Sequence, residues 1–119
     1  MTFVTTPKPW GKEILCGKTD RYALKDIHVK AGSRTSLQSH VYKQESILVI
    51  SGRISVESGP GVNDLTTTVY GPGEGYTLHP GTIHRVTALD DARYVEASTP
   101  ELDDVIRYAD DFGRADATA

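Results

Sequence analysis

Apolar and polar residues alternate in short runs along this chain, and glycine-containing turns interrupt nearly every run. The pattern predicts strands over residues 13–16, 22–29, 46–50, 54–57, 66–70, 76–79, 85–87 and 92–98. Ile27 and Val29 share one face of their run, and branched apolar residues crowd residues 46–50. Turns are predicted at residues 17–20, 31–33, 51–53, 58–61 and 71–75, while Pro7 and Pro9 keep residues 1–11 extended. Only residues 102–109 have helical spacing, with Leu102, Val105, Ile106 and Ala109 three and four apart. Many short strands without a βαβ alternation predict an all-β barrel or sandwich. Closure into a barrel removes exposed edges and lets side chains from different strands converge inside.

The 119 residues suffice for one hydrophobic core and therefore one domain. A net charge of −3 offers no electrostatic footprint for nucleic acid or a membrane surface. No apolar run approaches the roughly 18 residues of a membrane helix. The opening MTFVTTPKPW lacks the basic-then-apolar layout of a secretory signal, so a soluble cytoplasmic protein is expected. Cys16, the single cysteine, forms no internal disulfide and is expected to be a small buried apolar residue. Residues 1–114 are expected to form the domain, with a frayed, disordered tail at residues 115–119.

Two stretches concentrate candidate chemistry. Residues 32–52, GSRTSLQSHVYKQESILVISG, contain Gln38, His40 and Glu45. Gln38 and His40 are two apart and share a face of any strand. Glu45 follows the four-residue turn VYKQ and is expected to return antiparallel beside them. Residues 73–84, GEGYTLHPGTIH, add His84. A carboxamide, a carboxylate and two imidazoles suit one divalent metal ion, and zinc, manganese, iron, nickel and cobalt all accept such a set. Four protein ligands leave positions open on an ion that takes five or six, so that substrate oxygens can bind it.

The spacing resembles that of the cupin superfamily. Its first motif runs Gly, five residues, His-x-His, three or four residues, Glu, six residues, Gly, and is matched by Gly32, Gln38, His40, Glu45 and Gly52. Its second motif is matched by Gly73, Gly81 and His84. Gln38 replaces the usual first histidine, His79 stands at a usual proline, and Ala88 at a frequent asparagine. More narrowly, the chain is similar to the cupin module at the C-terminal end of type II phosphomannose isomerases. The residues that carry this are Pro9-Trp10-Gly11, Lys25, Ser36-Leu37-Gln38-Ser39-His40, Lys43 and His84-Arg85. Asp103-Asp104-Val105-Ile106-Arg107 and Asp111-Phe112-Gly113-Arg114 extend the match to the C-terminal end.

The resemblance implies a cupin-type double-stranded β-helix, a jelly-roll barrel, to which the helical spacing adds a short C-terminal helical segment. It implies Gln38, His40, Glu45 and His84 as ligands, zinc as the first choice of ion, and a metal-dependent isomerase or epimerase of a sugar phosphate or related sugar. Val41-Tyr42 and Ser46-Ile47 replace a histidine pair and a His-Trp pair of that module, which shifts the expected substrate away from mannose 6-phosphate. No glycine-rich nucleotide loop occurs in the sequence, so a stand-alone version of the module is expected.

Aldose–ketose isomerisation needs a group that moves a proton between C1 and C2 and an electrophile that polarises the carbonyl. Lys43, two residues from Glu45, and Arg107 are the catalytic candidates. Ser36, which shares the face of Gln38, together with Lys25 and Arg114 are candidates to bind substrate. Guanidinium groups suit phosphate oxygens, but Arg107 and Arg114 can equally pair with Asp103, Asp104, Asp110 or Asp111. Arg85 alternates to the face opposite His84, and Trp10 and Tyr22 are expected to pack. Two other functions fit the same residues: a non-catalytic, metal-bearing carbohydrate-binding cupin, and a cupin-type metal oxygenase. The expected partner is a small-molecule carbohydrate. An edge strand within residues 2–16 further predicts a homodimer that pairs or exchanges it.

Overall fold

Two antiparallel sheets face each other in the computed structural model, which describes residues 3–114. The strands in chain order are β1 (Val4–Lys8), β2 (Gly11–Lys18), β3 (Ala23–Val29), β4 (Leu37–Ser39), β5 (Glu45–Ser51) and β6 (Ile54–Gly61). They continue with β7 (Asp64–Tyr70), β8 (Gly75–Leu78), β9 (Ile83–Ala88), β10 (Ala92–Ser98) and β11 (Ile106–Ala109). One sheet has the order β1-β2-β3-β10-β5-β8, the other β11-β4-β9-β6-β7. The arrangement is all-β, as the alternation predicts, and is that of a double-stranded β-helix. Among the described residues no helix is long and apolar enough to cross a membrane. The tail expected at residues 115–119 lies outside the described residues.

Inward-facing positions divide the barrel interior into two ends. Ile27, Val29, Val49, Ile54, Val56, Val86, Ala88 and Ala92 close one end as a continuous apolar core, with Trp10 and Tyr94 packed into it. Ile54 is fully buried, and each such branched side chain contributes roughly 1.5–3 kcal/mol by leaving water. The other end is lined by buried polar groups: Ser36, His40, Lys43, Glu45, His84, Glu96 and Ser98. Burying so many polar groups is unfavourable unless they satisfy one another or a ligand. That end is where function is to be sought.

Four expectations are corrected. Residues 102–109 form no helix; β11 adds to the open edge of β4, with Ile106 opposite Ser39 and Arg107 opposite Gln38. A helix of two turns is marginal in water, whereas the strand edge offers unpaired backbone groups to a partner. Glu45 does not return beside Gln38 and His40 in one sheet, because β4 and β5 belong to opposite sheets and the intervening turn crosses between them. Tyr22 does not pack: it lies in the turn before β3 and is 55% exposed. Cys16 is free and half-buried rather than a core residue.

Candidate metal centre

Three side chains meet across the gap between the sheets. His84 belongs to β9, Glu45 opens β5, and His40 directly follows β4. Their donor atoms all lie within 4.8 Å of one another, and all three residues are buried. Glu45 Oε1 is 3.3 Å from His40 Nε2 and 3.1 Å from His84 Nε2.

Both imidazoles are held from behind. His40 Nδ1 donates to the Asp104 main-chain oxygen at 2.5 Å, and His84 Nδ1 donates to the Thr82 oxygen at 3.0 Å. A carbonyl only accepts, so each neutral ring carries its proton on Nδ1 and turns a bare Nε2 lone pair into the gap. His40 Nε2 and Glu45 Oε1 are buried and make no hydrogen bond. Two lone pairs aimed at a carboxylate oxygen form a set that repels itself until a cation is shared among them. Donors bound to one ion at about 2.0–2.2 Å stand roughly 2.8–3.6 Å apart between octahedral and tetrahedral angles, a range that contains both separations. The residues therefore fit a divalent cation, and a carbonyl behind each histidine is the usual support of a metal-binding imidazole. Gln38 is the cross-strand neighbour of His84 and lines the same inner cavity, of about 30 Å³, as Glu45 and His84.

The local sequence explains the placement. Gly81 adopts φ +86°, a left-handed conformation that favours glycine, and turns the chain into β9. Its N–H donates to the His40 carbonyl oxygen at 2.8 Å, tying together the segments that carry the two histidines.

The two oxygens of Glu45 have separate surroundings. Oε1 faces the imidazoles, while Oε2 is 3.8 Å from Lys43 Nζ, which lies 3.2 Å from Glu96 Oε2. Burial disfavours the Lys43 charge, but the Glu96 and Glu45 carboxylates outweigh it and raise the ammonium above its ordinary value. Burial pushes the Glu96 carboxyl up to about 8, reinforced by the Glu45 charge and the hydrogen bond between the two. Burial also works against the Glu45 charge, but the hydrogen bond from the Glu96 carboxyl and the nearby Lys43 ammonium favour it, and the carboxyl is held well below the ordinary carboxylate range. Glu96 was not among the sequence candidates. It occupies an inward position of β10, where Ala92, Tyr94 and Ser98 mark the buried face, so its alternation was the available signal.

The remaining candidates distribute unevenly. Ser36, Gln38, Arg107, Arg114 and Glu96 line an outer cavity of about 70 Å³, which shares Gln38 and Glu96 with the inner one. Arg114 also chelates Asp110 at 2.8 and 3.1 Å. Lys25 pairs with Glu13 at 3.0 Å, and Glu13 rather than Lys25 lines the outer cavity. Lys43 stands behind Glu45, toward Glu96. Arg85 faces away from His84, as alternation requires, and donates to the Thr35 and Ala109 oxygens at 3.0 and 3.2 Å. A larger surface groove, about 500 Å³, passes Gly11, His28, Asp91 and Arg93. Among the described residues the triad is the one metal-type cluster, so chemistry rather than size selects the site.

This fold and this cluster define a cupin. The chain belongs to the family described as mannose-6-phosphate isomerase C-terminal, whose model matches residues 2–110. It is 33% identical over 111 residues to a mannose-1-phosphate guanylyltransferase of Escherichia coli K12, a match covering 90% of this chain and 22% of that protein. It is 32% identical over 112 residues to the xanthan biosynthesis protein XanB of Xanthomonas campestris pv. campestris, covering 90% and 23%. The chain thus spans under a quarter of the length of these curated relatives. Among solved structures, KdgF from Halomonas sp. superposes with a TM-score of 0.74 at 16% identity, covering 87% of this chain and 91% of that one. An oxalate decarboxylase of B. subtilis gives a TM-score of 0.77 at 14% identity, covering 88% and 30%. Identities this low establish the fold alone.

Proposed function

We propose that the chain is a metal-dependent isomerase or epimerase of a sugar phosphate or a related sugar, working in the cytoplasm. The observation that carries this is the set of converging lone pairs of His40, Glu45 and His84, two of which line a cavity that shares Gln38 and Glu96 with a second one presenting Arg107, Arg114 and Ser36. Gln38 completes the ligand set from β4. A bound divalent ion, zinc foremost, would supply an electrophile for sugar oxygens. Arg107 and Arg114 bind the anionic end of the substrate, and Ser36 holds a hydroxyl. Glu96 donates its proton toward Glu45, and the Lys43 ammonium lies beside both, so that together they keep Glu45 ionised. Lys25 acts at one remove, by orienting Glu13 in the outer wall. The family name and the carbohydrate enzymes among the relatives support a sugar substrate.

One observation favours a second function, a non-catalytic carbohydrate-binding cupin. The two cavities, at about 70 and 30 Å³, are far smaller than the roughly 300–1,000 Å³ of ordinary ligand pockets. A sugar would present one end to the metal unless the outer wall opens. β1 forms an edge of its sheet, with Phe3 and Val4 exposed beside it, which supports a homodimer built on that edge.

Metal-loaded protein incubated in heavy water with a panel of aldose and ketose phosphates separates these functions. Deuterium appearing at C2 is the expected result. Saturable binding without exchange across the panel overturns the isomerase in favour of the binding module, and oxygen uptake by the iron form indicates the oxygenase.

A further inference from the structure

The loop that joins His40 to Glu45 is fastened, residue by residue, to a distant segment. The N–H groups of Val41, Tyr42 and Lys43 donate to the Asp104 carboxylate at 3.0, 2.7 and 3.0 Å. Gln44 and Thr99 exchange two bonds, each 3.0 Å, one from the Gln44 N–H to the Thr99 hydroxyl and one from the Thr99 N–H to the Gln44 oxygen. The Asp104 carbonyl also receives the His40 Nδ1 proton. Packing does little for this loop, since Val41 and Tyr42 are 53% and 72% exposed. Its conformation is therefore set by the polar contacts, and most of them end on a single residue.

The two histidines differ in this respect. His84 is oriented from within its own loop, by an oxygen two residues away. His40 is oriented by an oxygen 64 residues away, on the segment that leads into β11. Anything that displaces Asp104 disturbs one imidazole and spares the other.

We propose that Asp104 is the positioning residue of the metal centre: its carboxylate clasps the loop over residues 41–43 while its carbonyl fixes the His40 ring, so that docking of residues 99–107 and metal uptake are linked. This rests on assigning the triad to a metal. The carboxylate stabilises the loop through three amide dipoles, and the carbonyl keeps His40 in the tautomer whose Nε2 lone pair faces Glu45. Loss of the clasp leaves Glu45 and His84 in place but frees His40 to rotate and to exchange tautomers. Because linkage is reciprocal, a bound ion in turn holds the C-terminal segment down.

The test uses the full chain carrying Asp104→Ala or Asp104→Asn, with zinc ion alone as the probe. Long-range proton–nitrogen spectra of the metal-free protein report the tautomer of each histidine. In the parent both rings are expected as the Nδ1–H form. In Asp104→Ala, His40 is expected to give mixed tautomers while His84 is unchanged, and zinc affinity to fall about 10–100-fold, as for other residues that orient a ligand. Asp104→Asn, which keeps the shape and one acceptor, is expected to lie between parent and alanine variant. An unchanged His40 signal with unchanged zinc affinity overturns the proposal. So does a joint change of His40 and His84, which marks general loss of structure. Should the parent itself take up no zinc, the metal assignment falls and the linkage with it. The tautomer comparison would still decide whether Asp104 sets the His40 ring.

Discussion

His84 Nε2, on β9 of one sheet, lies 3.1 Å from Glu45 Oε1, on β5 of the other. A cation held between them joins the two layers of the barrel at the end that lacks an apolar core. Ion binding should therefore stabilise the fold, by about 2.7 kcal/mol when free metal exceeds Kd by roughly a hundredfold. Thermal unfolding with and without zinc measures this. The midpoint should rise for the parent and stay fixed for His84→Ala, whose metal-free midpoint provides the baseline.

Glu96 makes the metal-free protein sensitive to alkali. Burial first, then the Glu45 charge and the bond to it, raise its carboxyl from 4.5 to about 8. Between those values the folded chain keeps a proton that the unfolded chain has released, so the contribution of Glu96 to stability declines as pH rises through that window. Glu96→Gln places a neutral amide there and removes the decline. With metal chelated, the variant's melting midpoint minus the parent's should grow steadily from pH 5 to pH 8. A difference independent of pH would show that Glu96 is ionised throughout.

The apolar end should behave as a tightly packed core. Ile54 is 0% exposed, so Ile54→Ala is expected to destabilise by about 2–5 kcal/mol and Ile54→Val by about 0.5–1.5 kcal/mol. Leu48, on the outer face of β5 and 44% exposed, should tolerate alanine within about 0.5 kcal/mol. Urea denaturation of the three variants checks the ranking.

Much of this was legible in the chain. The run ARYVEAS alternates, and its buried set of Ala92, Tyr94, Glu96 and Ser98 lies where a strand pattern puts it. Residue type marked the two stretches that hold Gln38, His40, Glu45 and His84, and the resemblance to the cupin motifs joined them into one ligand set. Which sheet each strand joins was not legible, since β4 and β5 are neighbours in sequence yet cross the barrel. The helical spacing at residues 102–109 misled because an edge-pairing strand also places apolar residues irregularly. For a different reason, Asp104 was read only as part of the C-terminal match and as a partner for the arginines, and Glu96 was not singled out. Their partners, His40 at one end and Glu45 at the other, are 64 and 51 positions away, and no local pattern encodes such contacts.

Arg107 sits opposite Gln38 in the β4–β11 ladder and lines the outer cavity. If it binds the anionic end of a substrate, Arg107→Lys should raise KM by about tenfold, because an ammonium loses the bidentate geometry. Zinc affinity should be unchanged. Steady-state kinetics and zinc titration of the same preparation distinguish this from damage to the centre.

The most direct test is metal analysis of the purified chain, followed by titration of the stripped protein with zinc, manganese, iron, nickel and cobalt. One divalent ion per chain is expected, with binding weakened at least about tenfold in His40→Ala, Glu45→Gln and His84→Ala alike. A parent that takes up none of these ions, or binds them as well without the three side chains, contradicts the account.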